Sequence, residues 1–180
     1  MTDATHAEVS LEETIRLQEF NGVSDVFPGF NDLSHRQQQY RLQRLEPEWS
    51  ETVSNIATNE HMSHLVDTLD PDTSPSAITA SHIAVGDNST DGGSEPSSSD
   101  TSLNNQLGSP LAVGSVTTST QILQVSVILD ETQYNDNDIA EAGAIHDSSG
   151  TLLNRALIGP RFKTSDKVFT IEIEFQYLPL

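Results

Sequence analysis

The sequence predicts an α+β protein with a helical N-terminal segment followed by an antiparallel β-sandwich. Between Glu48 and Leu69 the apolar residues recur at spacings of three and four, which is the period of a helix. Over Phe169–Tyr177 apolar and polar residues alternate strictly, which is the period of a strand with one buried face. We therefore expect a helical docking or oligomerisation segment over residues 1–70, a linker over 71–77 and the sandwich over 78–180.

Two capping boxes predict where the first helices begin. Ser10 with Glu13 fits the first box, and the helix that follows would run to Phe20. Ser34 with Gln37 fits the second, ahead of a stretch rich in Gln and Arg. Both segments are therefore predicted to be helical.

A third helix is predicted from Glu48 to Leu69, with Pro47 at its first position. Its apolar stripe is the predicted docking or oligomer interface, and packing of the stripe onto the chain's own sandwich is an equal alternative. The interface residues are Trp49, Val53, Ile56, Leu65 and Leu69.

The period changes after the Pro- and Asp-rich residues 70–75. Alternating segments predict strands that include 121–130 and a hairpin formed by 139–146 and 151–158. Residues 86–102 are rich in Ser, Asp and Gly and predict a long mobile loop.

Acidic residues outnumber basic residues by more than three to one. The 180 residues include 27 Asp and Glu and 8 Lys and Arg, a formal net charge of −19, and no Lys or Arg lies between Arg44 and Arg155. Such a chain repels itself at low ionic strength. Because the acids are spread through segments predicted to fold, we interpret the composition as adaptation to high salt, with an ordinary protein carrying a disordered acidic tail as the alternative. Nucleic acid is not expected as a partner, because phosphate binding needs clustered cations.

The sequence lacks the residues and motifs that several kinds of catalytic and binding site require. There is no cysteine, which excludes disulfides, Cys-ligated zinc and thiol catalysis. Phosphate-binding, dinucleotide-binding and nucleophile-elbow motifs are absent, so we expect neither an enzyme nor a cofactor. No run of 18 apolar residues occurs, so membrane insertion is not expected.

Two patterns are weak metal candidates. Asp87, Ser89 and Asp91 have the spacing of the first half of a calcium loop, but Ser98 stands where a bidentate Glu would be needed. His61 and His64 lie one helical turn apart without a third ligand at a telling distance. A solvated acidic loop and surface histidines are the preferred interpretations.

The few cations of the β part are further interface candidates. Arg155 and Lys163 could contact a neighbouring chain in an otherwise acidic protein. Pairing within the fold, for example with Glu141, is an equal alternative.

The order of motifs in the second half resembles a known family. Ile83–Asp87 is followed by Asp100–Leu107, then Ile139–Ile145, then Gly150–Ala156, and Lys163 with Thr164 precedes the terminal strand. Over about residues 78–178 this order is similar to the β domain of tail-fibre and tail-collar proteins of tailed viruses.

The resemblance implies a structural component of a virion tail, at the baseplate or the root of a fibre, that supports host attachment. Its partners would be copies of itself, expected as a trimer, other tail or baseplate proteins and a host receptor. The salt-adapted composition then suggests a virus of a halophilic archaeon. Two alternatives remain open: a capsid decoration or turret protein, and a carbohydrate- or calcium-dependent binding module.

The charge analysis predicts that folding depends on salt. We expect circular dichroism to show loss of structure below about 0.5 M monovalent salt, because the Debye length then becomes too long to screen the carboxylates from one another. A fully folded protein at about 20 mM salt would contradict this interpretation of the composition.

Overall fold

The computed structural model of the chain describes residues 9–69, 79–146 and 150–179, apart from the side chains at 9–10, 66–69, 91 and 177–179. Ten strands and three α-helices account for most of these residues. The strands are β1 (Val9–Asn21), β2 (Trp49–Ser54), β3 (Ile56–Ala57), β4 (His82–Gly86), β5 (Leu111–Ala112), β6 (Ser115–Thr118), β7 (Ile122–Leu129), β8 (Asn137–Ile145), β9 (Asn154–Lys163) and β10 (Lys167–Pro179). The helices are α1 (Val23–Val26), α2 (His35–Leu42) and α3 (Asn59–Leu69), and short 3₁₀ turns lie at Phe30–Asp32 and Thr90–Gly92.

The strands form two antiparallel sheets that are joined at both edges. Sheet 1 has the order β2-β1-β10-β7-β6, and sheet 2 has the order β3-β9-β8-β4-β5. The chain passes from sheet 1 to sheet 2 at Asn55, because β2 pairs with β1 and β3 pairs with β9. It passes back to sheet 1 between Val113 and Gly114. The N–H of Val113 donates to the carbonyl of Ser81, next to β4 of sheet 2, and the N–H of Gly114 donates to the carbonyl of Ser126 on β7 of sheet 1. With β2/β3 and β5/β6 each counted as one bent strand, the sheets close into a flattened barrel of eight strand positions.

The main core lies between the two sheets. Alternate residues of each strand point into it, so that Ile15 and Leu17 of β1 meet Ile171 and Ile173 of β10 and the inward residues of β8. A second, smaller cluster lies under α1 and α2 and includes Phe30 and Leu42. The two helices therefore cover one end of sheet 1 from outside.

The predicted fold class, a helical N-terminal segment followed by a sandwich, is wrong, because both antiparallel sheets include strands from the N-terminal part. Residues 9–21 are not a helix but a 13-residue strand, β1, which lies between β2 and β10 in the middle of sheet 1. The Ser10–Glu13 capping box is therefore wrong as well. Leu11, Ile15 and Leu17 also lie on one face at a spacing of two, but the buried acids Glu13 and Glu19 interrupt this apolar face. Pairing with β10 over the whole length of β1 overrides the helix propensity of its Glu, Gln and Arg residues.

The predicted third helix is correct only in its second half. Residues 49–57 form strands β2 and β3, and α3 begins at Asn59. Thr58 ends the strand and caps the helix, since its Oγ1 accepts a hydrogen bond from the N–H of His61 at 3.2 Å. The predicted interface stripe is therefore divided between two strands and a helix. The predicted linker, 71–77, lies outside the described residues.

Other predicted elements are confirmed. The Ser34–Gln37 capping box starts α2. The hairpin corresponds to β8 and β9, and the alternating C-terminal segment is β10. Within the described ranges, no helix is long and apolar enough to cross a bilayer.

The fold predicts that the N-terminal strands and the C-terminal strands unfold together. Trp49, the one tryptophan of the chain, lies on β2, so its fluorescence reports on sheet 1 next to β1. We expect the fluorescence and the far-UV circular dichroism to show the same denaturation midpoint in molar salt. Replacing buried Leu17 by Ala should lower the free energy of unfolding measured by both probes by about 2–5 kcal/mol.

The matched control for this measurement is Val26→Ala. Val26 is 57% exposed, so its truncation should change the free energy by no more than about 0.5 kcal/mol. Two separate transitions for the two probes would show that the chain consists of independent halves.

Candidate functional site

The residues that carry the family resemblance meet in a buried ion cluster. Glu141 on β8 and Arg155 on β9 are 0% and 1% exposed, and Arg155 Nε donates to Glu141 Oε2 at 2.7 Å. Both lie inside a packed sheet, where an unpaired charge would be costly. The pair therefore balances two charges that neither strand could hold alone.

The other N–H groups of Arg155 reach the long loop that follows β4. Nη1 donates to Asp100 Oδ2 at 2.9 Å, and Nη2 donates to Asn88 Oδ1 at 2.9 Å and to the carbonyl of Ser94 at 3.0 Å. Burial alone would lower the pKa of Arg155, but the hydrogen bonds and charges of Asp100 and Glu141 outweigh this and raise it. The guanidinium thus binds the loop at several points at once.

Glu141 holds the end of the same loop. Its carboxylate accepts the backbone N–H of Asn104 at 3.2 Å and that of Asn105 at 2.9 Å. Gly86 makes this approach possible, because a Cβ there would lie 2.4 Å from Glu141 Oε1 and 2.6 Å from the carbonyl of Asn105. The loop that the sequence predicts to be mobile is therefore held to sheet 2 by the hydrogen bonds of Glu141 and Arg155.

The calcium candidates lie in this loop. Asp87 Oδ1 accepts from the N–H of Ser89 at 2.9 Å and from Asn105 Nδ2 at 2.7 Å, and the same Nδ2 donates to Ser89 Oγ at 3.1 Å. Burial alone would raise the pKa of Asp87, but these hydrogen bonds outweigh it and hold the pKa below its usual range. The amide of Asn105 thus stands between the two candidate ligands. The side chain of Asp91 lies outside the described residues, which contain no group of three or more His, Asp or Glu arranged to hold a metal.

Lys163 is fully buried at the end of β9. Its Nζ donates to Asn135 Oδ1 and to the carbonyl of Thr164, both at 3.0 Å. Burial lowers the pKa of Lys163 to about 8. Lys163 and Arg155, the two predicted interface cations, thus both have their partners inside this chain. For Arg155 the partner is the predicted Glu141.

The predicted apolar interface residues have different environments. Trp49 and Val53 are half-buried against the main core, and Arg161 lies over the Trp49 ring with its Cζ 4.6 Å from the centroid. Ile56 is 41% exposed, and Leu65 is half-buried on α3. The side chain of Leu69 lies outside the described residues.

A second polar network inside the barrel was not predicted. His61 of α3 is buried, with Nδ1 3.0 Å from Glu13 Oε1 and its ring edge-on to Phe175. Asn55, with its amide turned to match its neighbours, donates to the carbonyl of Glu13 at 2.8 Å and accepts from Asn154 at 2.7 Å. His64 contacts His146 instead, so the two histidines of the weak metal candidate have different partners. The preferred interpretation as surface histidines is wrong for His61, which is 1% exposed. A period-two reading of β1 would have shown that Glu13 lies on its buried face.

The exposed face of α2 and the turn after it carry arginines without carboxylate partners. Arg36, Arg41 and Arg44 are exposed, and none of them forms an ion pair within the described part of the chain. Arg41 stacks on Phe27, and Arg44 stacks on Tyr40 and donates to its hydroxyl. No acid occurs between Ser34 and Leu45. We call these three arginines with Tyr40 the arginine face.

Of the five described cations elsewhere, four have carboxylate or buried polar partners, and the fifth, Arg16, forms no ion pair with a described residue. Arg161 and Lys167 both bind the buried carboxylate of Glu19, at 2.6 and 3.0 Å, and Arg155 and Lys163 lie inside the fold. Sequence reasoning missed the arginine face because it searched for cations only in the β part.

Comparison of the chain with protein-family models, with curated proteins and with solved structures finds no match.

The ion cluster predicts a large loss of stability when Glu141 is neutralised. Glu141→Gln removes the charge that balances buried Arg155, so the free energy of unfolding should fall by about 3–5 kcal/mol. Limited proteolysis should then cut within residues 87–106, which the pair holds in place. Asp138→Asn removes an exposed carboxylate from the same strand and should change neither measurement.

A double variant tests the reason for this loss. Glu141→Leu with Arg155→Met removes both charges, so it should cost less than Glu141→Gln alone. Equal stability of wild type and Glu141→Gln would show that the pair does not hold the loop.

Proposed function

We propose that the protein is a non-catalytic structural subunit of a viral tail, at the baseplate or a fibre root, which assembles with copies of itself and other tail proteins and supports host attachment. The motif residues that carry the resemblance support this proposal. Glu141, Arg155 and Lys163 are buried and bind a loop and a turn to sheet 2, which is a role in architecture.

The observation that carries the assembly role is the arginine face. A protein with a net charge of −19 leaves Arg36 and Arg41 of α2, and Arg44 of the turn after it, exposed without carboxylate partners. Stacking on Phe27 and Tyr40 holds two of the guanidinium groups in place, which reduces the entropy that a contact would cost. Planar guanidinium groups bind carboxylates in two-point contacts. The face therefore suits an acidic protein surface.

The acidic surface is supplied by a neighbouring copy of this chain. Each copy presents many carboxylates, whereas Ser34–Leu45 contains none. An arginine face cannot bind another arginine face, so the contact is between two different surfaces. Such contacts form a ring, for example a trimer, when the rotation between successive copies closes, and an open filament when it does not. Partly buried Arg–carboxylate contacts persist at molar salt better than exposed ones, because salt screens buried pairs less.

Sedimentation in molar salt tests this assembly. We expect a closed oligomer for wild type and a monomer for the triple variant Arg36→Gln, Arg41→Gln, Arg44→Gln. The control Ser54→Glu, Thr117→Glu, Ser165→Glu makes the same change of net charge on other exposed positions and should remain oligomeric.

Antibody labelling of purified virions tests the location. We expect label at the tail or baseplate. A protein that is monomeric at molar salt and absent from virions would overturn the proposal.

A further inference from the structure

A polar groove lies between α2 and the outer face of sheet 1. It has a volume of about 330 Å³, within the range of small-ligand sites. Its floor is formed by side chains of β1, β10 and β7 that point away from the main core, and its other side is formed by α2 and the turn after it. The floor residues are Arg16, Gln18, Ser126, Thr170 and Glu172.

Strand register brings these polar groups together. Arg16 lies opposite Glu172, which lies opposite Ser126 on the next strand, and Gln18 lies opposite Thr170 in the adjacent row. Such cross-strand neighbours are close enough for one ligand to contact several of them. From above, α2 contributes Gln39, whose Nε2 donates to Ser126 Oγ at 3.1 Å.

Much of the hydrogen-bonding capacity of the groove is unused by the protein. Among the described residues, the Arg16 guanidinium, the Glu172 carboxylate and the Gln43 side-chain amide have no hydrogen-bond partner, and Gln18 only accepts a long contact of 3.4 Å from Thr170. Arg16 and Glu172 form no ion pair although they face each other across the strands. Burial raises the pKa of Glu172, Arg16 opposes this, and Glu174 adds to it. A half-buried carboxylate and a guanidinium thus both face the same space.

The chemistry of the lining selects a class of ligand. An anion would meet Glu172 and a cation would meet Arg16, so a charged ligand gains from one group and is repelled by the other. An apolar ligand would leave the amides, hydroxyls and charges unpaired, which is costly. A neutral ligand with several hydroxyl groups can donate to the carboxylate and accept from the guanidinium and the amides. The half-buried apolar residues Leu45 and Pro47 offer contacts to the C–H groups of a sugar ring.

We propose that this groove binds a single neutral sugar residue. The residue could belong to a glycan of a host surface or to a free sugar, and the groove has the same chemistry for both. None of the three arginines of the arginine face lines it. Sugar binding and subunit assembly therefore involve different residues and can be separated by variants.

Saturation-transfer NMR and calorimetry with glucose, galactose and mannose in molar potassium chloride test the proposal. At least one of these hexoses should bind at millimolar concentration, more tightly than glucuronate or glucosamine. Glu172→Gln and Gln18→Ala should each weaken binding by about tenfold, the effect of losing one hydrogen bond to a buried group. The matched control is Glu174→Gln, which changes the next outward-facing acid of β10, outside the groove, and should leave affinity unchanged.

Further variants keep the result interpretable. Gln43 lies on the exposed turn after α2, so replacing it by Ala does not disturb the sheet. The Gln43→Ala variant should also weaken sugar binding. The Arg36, Arg41 and Arg44 triple variant should retain sugar affinity even as a monomer. The proposal is overturned if no neutral hexose binds, if glucuronate or glucosamine binds more tightly, or if Glu174→Gln weakens binding as much as Glu172→Gln. A glycan array then distinguishes a host glycan from a free monosaccharide.

Discussion

The buried pair of Glu141 and Arg155 is the interaction on which the architecture of sheet 2 depends. It places two opposite charges inside neighbouring strands, where each is stable only because of the other. From this point hydrogen bonds extend to Asn88, Asp100 and Asn105, so residues 87–106, which form no regular strand, become a fixed part of the molecule. A loop rich in Ser, Asp and Gly has little apolar surface to bury, so its order comes from these polar bonds.

Seven of the eight cations fall into three groups according to their partners. Arg155 and Lys163 are used inside the fold, and Arg161 and Lys167 share the buried carboxylate of Glu19. Arg36, Arg41 and Arg44 are left on the surface, next to a groove whose polar groups also lack partners. The two features with unused bonding capacity therefore both involve α2. The two proposals therefore place subunit contacts on the exposed side of α2 and sugar binding on the side that faces sheet 1.

Local sequence patterns predicted the structure correctly where polar residues are exposed or cap a helix and apolar residues are buried. Ser34 and Gln37 cap α2 as their spacing indicates, and β10 alternates because one of its faces is buried along its length. Patterns failed where polar residues are buried. Glu13 and Glu19 face inward on β1, so that strand has the composition of a helix. The division of residues 48–69 at Asn55 depends on β9, a strand about 100 residues away, and no local signal contains that partner.

The sequence by itself determined the acidic, cysteine-free character of the protein, the antiparallel strands of its second half and the pairing of Glu141 with Arg155 as one of two alternatives. These follow from composition and from short-range periodicity. Only the tertiary structure decided that the N-terminal residues complete sheet 1, that the barrel closes at Asn55 and Val113, and that Arg16, Glu172 and Gln43 line one groove. The physical reason is that strand pairing and burial of charge depend on partners distant in the chain, whose contact free energy outweighs local propensity.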